Sequence, residues 1–457
     1  MVRRVVGGRL GRGRHHLCNP VHVQPTEESA EPDPLDRAAT AGSPLTSARP
    51  DADAEDSVDE EAADDSDGRL RTLARSVGTG LDRATKSRRT AGVVAGLEDW
   101  AWRTRRERKI GKGTLRATLV MAYRGYVADG RAYLRVRVME EPVIPPPAEV
   151  ITDTSALKSN LRRFVALSFP GVKVNLSLAG TSEIAESGRH GYATAQLNVG
   201  ELPPGWHEYR VRTQPDDPTE EPTVVTGRVL APDPSVGVAV VSDLDDTVIK
   251  TGLGEGVVAL RRTLFGQAET REPIPGMAAL YQAVQAGPRS SGPACFYYLS
   301  TGPWNLYDML TEFLELRGFP AGPLFLTDWG PQERYVTRSG REHKRKSLRR
   351  LFDLYPETEF VLIGDSGQKD PDVYVEVARI RPNQVRAIII IDAGEHVAER
   401  AEELRASAPE LQSEGVPFFF AEDARDAAEF MLREGLVDRN APAAVRRAYT
   451  RDIEKRD

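Results

Sequence analysis

In this chain an apolar run stops abruptly on a group of carboxylates. VGVAVVSDLDDTVIKTG leaves its hydrophobic stretch at Asp243, Asp245, Asp246 and Thr247, and a buried strand has no structural need for such acids. Side chains alternate along a strand, so Asp243 and Asp245 point to one side if the extended geometry continues. One can then attack while the other handles protons. Three later segments end in complementary groups. ACFYYLSTGPWN presents Ser300 and Thr301, SGREHKRKSL presents Lys344 with Lys346 two residues on, and FVLIGDSGQKDPDVY presents Asp365 and Asp370. Phosphoryl transfer needs an in-line nucleophile, positive charge around the moving group and an acid for the leaving oxygen. A hydroxyl, a lysine and carboxylates suited to a hard cation such as Mg²⁺ provide those parts.

The elements that must position these groups are legible as hydrophobic periods. VGVAVVSDL, ACFYYLST, GPLFLTDW, FVLIGDS and VRAIIIID read as buried strands, and NLYDMLTEFLELRGF and KSLRRLFDLYPE as amphipathic helices between them. Such alternation predicts a parallel α/β sheet with flanking helices, whose ligands bind at the carboxyl ends of the strands. VPFFFAEDARDAAEFMLREGLV predicts a last strand and helix, and the mixed charges of AYTRDIEKRD predict a solvated end over 441–457. Upstream, 114–230 reads as a small, mainly β, sandwich-like domain. TLRATLVMAYRGYV and RAYLRVRVM flank an Asp129-Gly130 turn, Val172, Val174, Leu176 and Leu178 alternate, and YATAQLNV, HEYRVR and TVVTGRVL follow. One amphipathic helix, LKSNLRRFVALSF, interrupts them.

The four chemical segments, in this order, resemble the haloacid dehalogenase superfamily of phosphotransferases. Within it, DLDDTVIKTG, YYLSTGPWNLYDMLTEFL, GREHKRKSLRRLF and FVLIGDSGQKDPDVY resemble the phosphatidate phosphatases similar to the yeast actin-patch-associated enzyme. The likeness runs from about Ala122 to about Asp392 and takes in AYRGY, NLRRF and LPPGWHEYRV of the β domain. The resemblance implies a haloacid-dehalogenase-like domain over 231–440 and hydrolysis of phosphatidate through an aspartyl-phosphate. Asp243 would be the nucleophile and a Mg²⁺ ligand, and Asp245 the general acid and base with its carbonyl on the metal. Thr247 would orient the loop, Ser300 with Thr301 would bind phosphoryl oxygens, and Lys344 would neutralise Asp243 and the phosphate. Asp365 would complete the metal site with Asp370 close by. Gly302 stands where many relatives carry Ser, and Trp304 and Asn305 follow the family pattern.

Composition limits the remaining possibilities. The 457 residues, 40% hydrophobic and 28% charged, suit two or three domains. The net charge of −7 is local, because Asp51–Asp67 holds ten acids and no base. Residues 1–68 read as a disordered, acid-rich tail and 69–113 as a basic helical linker. In that linker, Trp100 and Trp102 beside Arg103, Arg105, Arg106, Arg108 and Lys109 could touch an anionic membrane transiently. Cys18 and Cys295 give neither a disulfide framework nor a zinc spacing. A cytoplasmic protein, peripheral at the membrane, is the expectation, since no secretory signal or membrane span is evident. No aromatic-basic stripe points to nucleic acid. A phosphatase of soluble phosphomonoesters or phosphoproteins, or a membrane or cytoskeletal adaptor with a retained catalytic domain, are the competing readings.

Overall fold

The structure, a computed structural model, describes residues 118–140, 168–215, 221–244, 247–248, 273–288, 292–327, 339–367, 370–392, 409, 411–413 and 415–455. All of these lie in one compact unit, Asp67–Asp457. The tail 1–68, the linker 69–113, Asp245, Asp246 and most of the helix expected around 157–169 lie outside the described residues.

The β-rich half begins with β1 (Thr118–Ala122), β2 (Gly125–Ala128) and β3 (Arg131–Glu140). The Asp129-Gly130 turn between β2 and β3 has positive φ at both positions, 48° and 69°, as a two-residue hairpin with right-handed strand twist requires. Then come β4 (Lys173–Leu178), β5 (Thr181–Glu186), β6 (Tyr192–Asn198), β7 (Gly205–Gln214) and β8 (Val224–Ala231). They form one eight-stranded mixed sheet, not two facing sheets. The order is β1-β3-β2-β8-β7-β4-β5, with β6 on the other edge of β3 and β2 parallel to β8. Alternate residues such as Leu134 and Val136, Leu176, Leu197 and Val211 share a single core. The sheet therefore folds over itself to bury one face around that core.

The second half alternates β and α. β9 (Val238–Asp243) leads to α1 (Met277–Ala286) and β10 (Cys295–Pro303). A 3₁₀ turn (Trp304–Leu306) and α2 (Tyr307–Leu316) follow, then β11 (Leu324–Thr327) and α3 (Ser339–Leu354). β12 (Glu359–Asp365), α4 (Asp370–Ile380), β13 (Val385–Ile391), β14 (Phe418–Ala421), α5 (Ala424–Arg433) and α6 (Ala441–Glu454) complete it. The six strands are all parallel in the order β11-β10-β9-β12-β13-β14. Strand residues of one parity, among them Val240, Phe296 and Ile363, pack under α1, α2, α5 and α6. The other parity, among them Val241, Leu299 and Leu362, packs under α3 and α4. Both faces are thus covered, which is why the strands read as continuous apolar runs.

The chain end expected to be solvated is the helix α6, with Ala441, Val445 and Ala448 buried. Its charges occupy one face only, and the spacing of four and three residues between the small apolar side chains makes the other face a packing stripe. Asp452 also accepts the Gly276 N–H at 2.9 Å, at the start of α1.

Candidate active site

β9 and β12 are neighbours, and their connections leave in opposite directions across the sheet, so their carboxyl ends flank the switch point where a parallel sheet opens a crevice. Asp243 ends β9 and Asp365 ends β12, and both are fully buried. α4 starts three residues beyond Gly367, the last described residue of the β12 turn, with Asp370 as its first residue and 1% exposed. One carboxylate oxygen from each of Asp243, Asp365 and Asp370 can be chosen so that all lie within 4.8 Å of one another.

Lys344 enters from the first half of α3 and is 3% exposed. Its Nζ lies 2.5 Å from Asp243 Oδ1 and also pairs with Asp370 Oδ1. Burial alone would lower the pKa of this ammonium, but the two carboxylates override that and hold it above the ordinary lysine value. Lys346, two residues on and so turned about 200° around the helix axis, is exposed. Of the two lysines, the fold brings only Lys344 to the acids. The start of α3 is fixed on β11 by a 3.2 Å hydrogen bond between a His343 ring nitrogen and the Phe325 carbonyl.

Ser300 follows Leu299, which pairs in register with Asp243. Its hydroxyl, 2% exposed, accepts the Gly302 N–H at 2.9 Å. A Cβ on Gly302 would come within 3.1 Å of that hydroxyl, so glycine here keeps the turn tight around it. The carbonyl of Thr301 accepts a hydrogen bond from Thr327 Oγ1 at 2.9 Å, tying the turn to β11. Thr247 is buried, and its Oγ1 has no hydrogen-bond partner among the described residues.

Two features of the site were not signalled by ionisable residues. Ser242 points away from Asp243, to the opposite face, where its hydroxyl lies 2.7 Å from the Tyr281 hydroxyl of α1 and donates to the Asp243 carbonyl at 2.6 Å. The backbone of the strand end is thereby held from behind. Gly364 lies against α4, and a Cβ there would meet Asp370 Cβ and Tyr374 Cε2 at 2.9 Å.

The donor set fits a hard cation. Three buried carboxylates facing one ammonium leave an excess of negative charge, and Asp370 Oδ2 is buried with no hydrogen-bond partner among the described residues. All the available ligands are oxygens.

Residues 238–392 match the family described as "Phosphatidate phosphatase APP1, catalytic domain". Over 155 residues the chain is 28% identical to phosphatidate phosphatase APP1 of Saccharomyces cerevisiae, covering 34% of this chain and 26% of that protein. Over 157 residues it is 26% identical to an uncharacterized protein of Schizosaccharomyces pombe, covering 34% and 25%. The chain thus spans about a quarter of the length of these relatives. Among solved structures, a carbohydrate acetylesterase from Xanthomonas citri aligns over 62% of this chain and 68% of that chain at 11% identity, with a TM-score of 0.23. The residues that build the crevice, from β9 to the end of β13, are those of the matched segment, and it is this segment that is similar to the phosphatidate phosphatase APP1 catalytic domain.

Proposed function

We propose that the chain is a Mg²⁺-dependent phosphatidate phosphatase with a haloacid-dehalogenase-like catalytic domain, releasing phosphate and diacylglycerol through an aspartyl-phosphate. One observation carries this reading: a single buried lysine bridges Asp243 and Asp370 beside Asp365, at the strand ends of the segment similar to the yeast phosphatidate phosphatase. The strand order, with Asp243 on the interior strand β9 and Asp365 on its neighbour, supports the haloacid-dehalogenase-like assignment. The catalytic domain would run from about 231 through α6, and the β domain would cover 114–230.

Asp243 Oδ attacks phosphorus, and the bond from phosphorus to the ester oxygen breaks. Asp245, whose position is outside the described residues, would be protonated in this step and give its proton to the leaving alcohol. As a carboxylate it then takes a proton from the water that attacks the aspartyl-phosphate, releasing phosphate and restoring Asp243. A carboxylate and a phosphate dianion repel, so positive charge and alignment dominate the barrier. Lys344 contributes part of that charge, and Ser300 with Thr301 would receive phosphoryl oxygens while Thr247 braces the loop. A Mg²⁺ ion held by Asp243, Asp365 and Asp370, with the Asp245 carbonyl, would supply the remaining charge neutralisation.

The test is phosphate release from phosphatidate in mixed micelles with Mg²⁺, beside an aryl phosphate and the Asp243→Asn variant. Release from the lipid is expected to fall at least about 10³-fold in the variant, with a cooperative melt retained. Release from the aryl phosphate alone would move the substrate to soluble phosphomonoesters. An unaffected variant would end the aspartyl-phosphate reading.

A further inference from the structure

The AYRGY segment and β3 meet the catalytic half along an aromatic seam. Tyr123 lies 4.7 Å from the Trp304 ring and 4.6 Å from that of Tyr307, the latter edge-on. The Arg124 N–H donates to the Tyr307 hydroxyl at 2.7 Å, and the Arg135 guanidinium lies 4.7 Å over Trp304. At the centre is Arg137, 7% exposed. It donates to Asn305 Oδ1 at 2.5 Å, to Ser168 Oγ at 3.2 Å and to the His190 carbonyl at 3.3 Å, and lies 5.0 Å over the Tyr192 ring. Among the described residues these acceptors are all neutral, so oriented dipoles and an aromatic face are what hold this positive charge out of water. Such an arrangement is costly, and a neutral side chain would pack the seam at less cost.

The residues gripped are informative. Trp304, Asn305 and Leu306 form the 3₁₀ turn that follows Ser300, Thr301, Gly302 and Pro303 without interruption. We propose that Arg137 is a positioning residue: it holds Asn305, and through that turn it fixes the Ser300–Gly302 segment where a phosphoryl group is received. The β domain then completes the active site from outside the matched segment, which gives that domain a function. This rests on the phosphatase reading above, and a displacement of about 1 Å in such a segment is worth about 10²-fold in rate.

Steady-state hydrolysis of an aryl phosphate by the full chain tests it, in the wild type, Arg137→Met, Asn305→Leu and the double variant, each with a melting curve. Arg137→Met is expected to lower kcat about 10- to 100-fold with KM changed less than about threefold. Arg137→Lys, which keeps the charge but not the planar fork, should recover only part of the loss. The double variant should be no slower than the slower single one, because both act through one contact. Wild-type kcat in folded Arg137→Met, or losses that multiply in the double variant, would overturn the proposal. If Arg137→Met does not fold, Asn305→Leu decides, since Asn305 is only half-buried; wild-type kcat there would equally overturn it. A wild type inert towards the aryl phosphate and phosphatidate alike removes the phosphatase reading and this proposal together, a result distinct from an active wild type with indifferent variants.

Discussion

Among single residues, Gly364 shows how a site can depend on an absent atom. The first turn of α4 brings Asp370 against β12 only because no Cβ intervenes; one would sit 2.9 Å from Asp370 Cβ and 3.3 Å from its Oδ2. Gly364→Ala is therefore expected to push Asp370 out of the carboxylate cluster. The cost is about 1–3 kcal/mol in stability from overpacking, together with a several-fold higher Mg²⁺ requirement for phosphate release. A Mg²⁺ titration identical to that of the wild type would show that Asp370 is not needed for the ion. The fold brings Asp243, Lys344, Asp365 and Asp370 together; Asp243 and Asp365 stood out in the sequence because each ends an apolar run, whereas Lys344 and Asp370 lie in polar stretches and were singled out by the family resemblance, with Lys346 as an alternative to Lys344. Gly364 did not stand out, because a glycine before an aspartate reads only as a turn former. Tyr281 was equally silent, since its hydroxyl finds Ser242 through a contact 39 residues away in sequence.

At the level of elements, the apolar runs predicted the parallel strands well, because strands buried on both faces carry their own signal. β5 went unread for the opposite reason: Thr181–Glu186 has one large apolar side chain, Ile184, and that is 57% exposed. The strand exists through its hairpin with β4, at a turn where Ala179 and Gly180 both have positive φ. α6 was misjudged because charge was weighed above periodicity. Val445 is fully buried, so Val445→Asp is expected to cost at least about 2 kcal/mol, read as a lowered urea midpoint. A truly solvated end would tolerate the change within about 0.5 kcal/mol. The Arg345 and Glu376 pair between α3 and α4 is half-buried and still reached by solvent, and such a pair adds little to stability.

For the whole molecule, the density of buried phenols sets an alkaline limit. Burial pushes Tyr126 and Tyr307 up to about 12, and Tyr123, Tyr209, Tyr297 and Tyr298 well above the ordinary 10.0. A folded-state pKa above the unfolded one means that the native state holds its proton longer. The associated stability is complete below pH 10 and is lost as pH rises from 10 towards 12. Each such group contributes a slope of up to about 1.4 kcal/mol per pH unit. Urea midpoints should therefore fall steeply above pH 10, and phenolate absorbance should appear with unfolding. Gradual ionisation of these tyrosines near pH 10 in the folded protein would contradict it. Among the described residues no helix is long and apolar enough to cross a membrane.

The parallel pairing of β2 with β8 has a consequence for the order in which the chain is made. β2 pairs at once with β3, but its other edge stays open until Ala231, the end of the last strand of that sheet, has left the ribosome. Tyr123 and Tyr126 then wait longer still, because their ring partners Trp304, Tyr307 and Phe325 are synthesised later. At ordinary translation rates the interval is about 5 to 20 s. During it these two side chains have, among the described residues, only Tyr192 and Tyr133 as ring neighbours, and the faces that the second half will cover stay open to solvent.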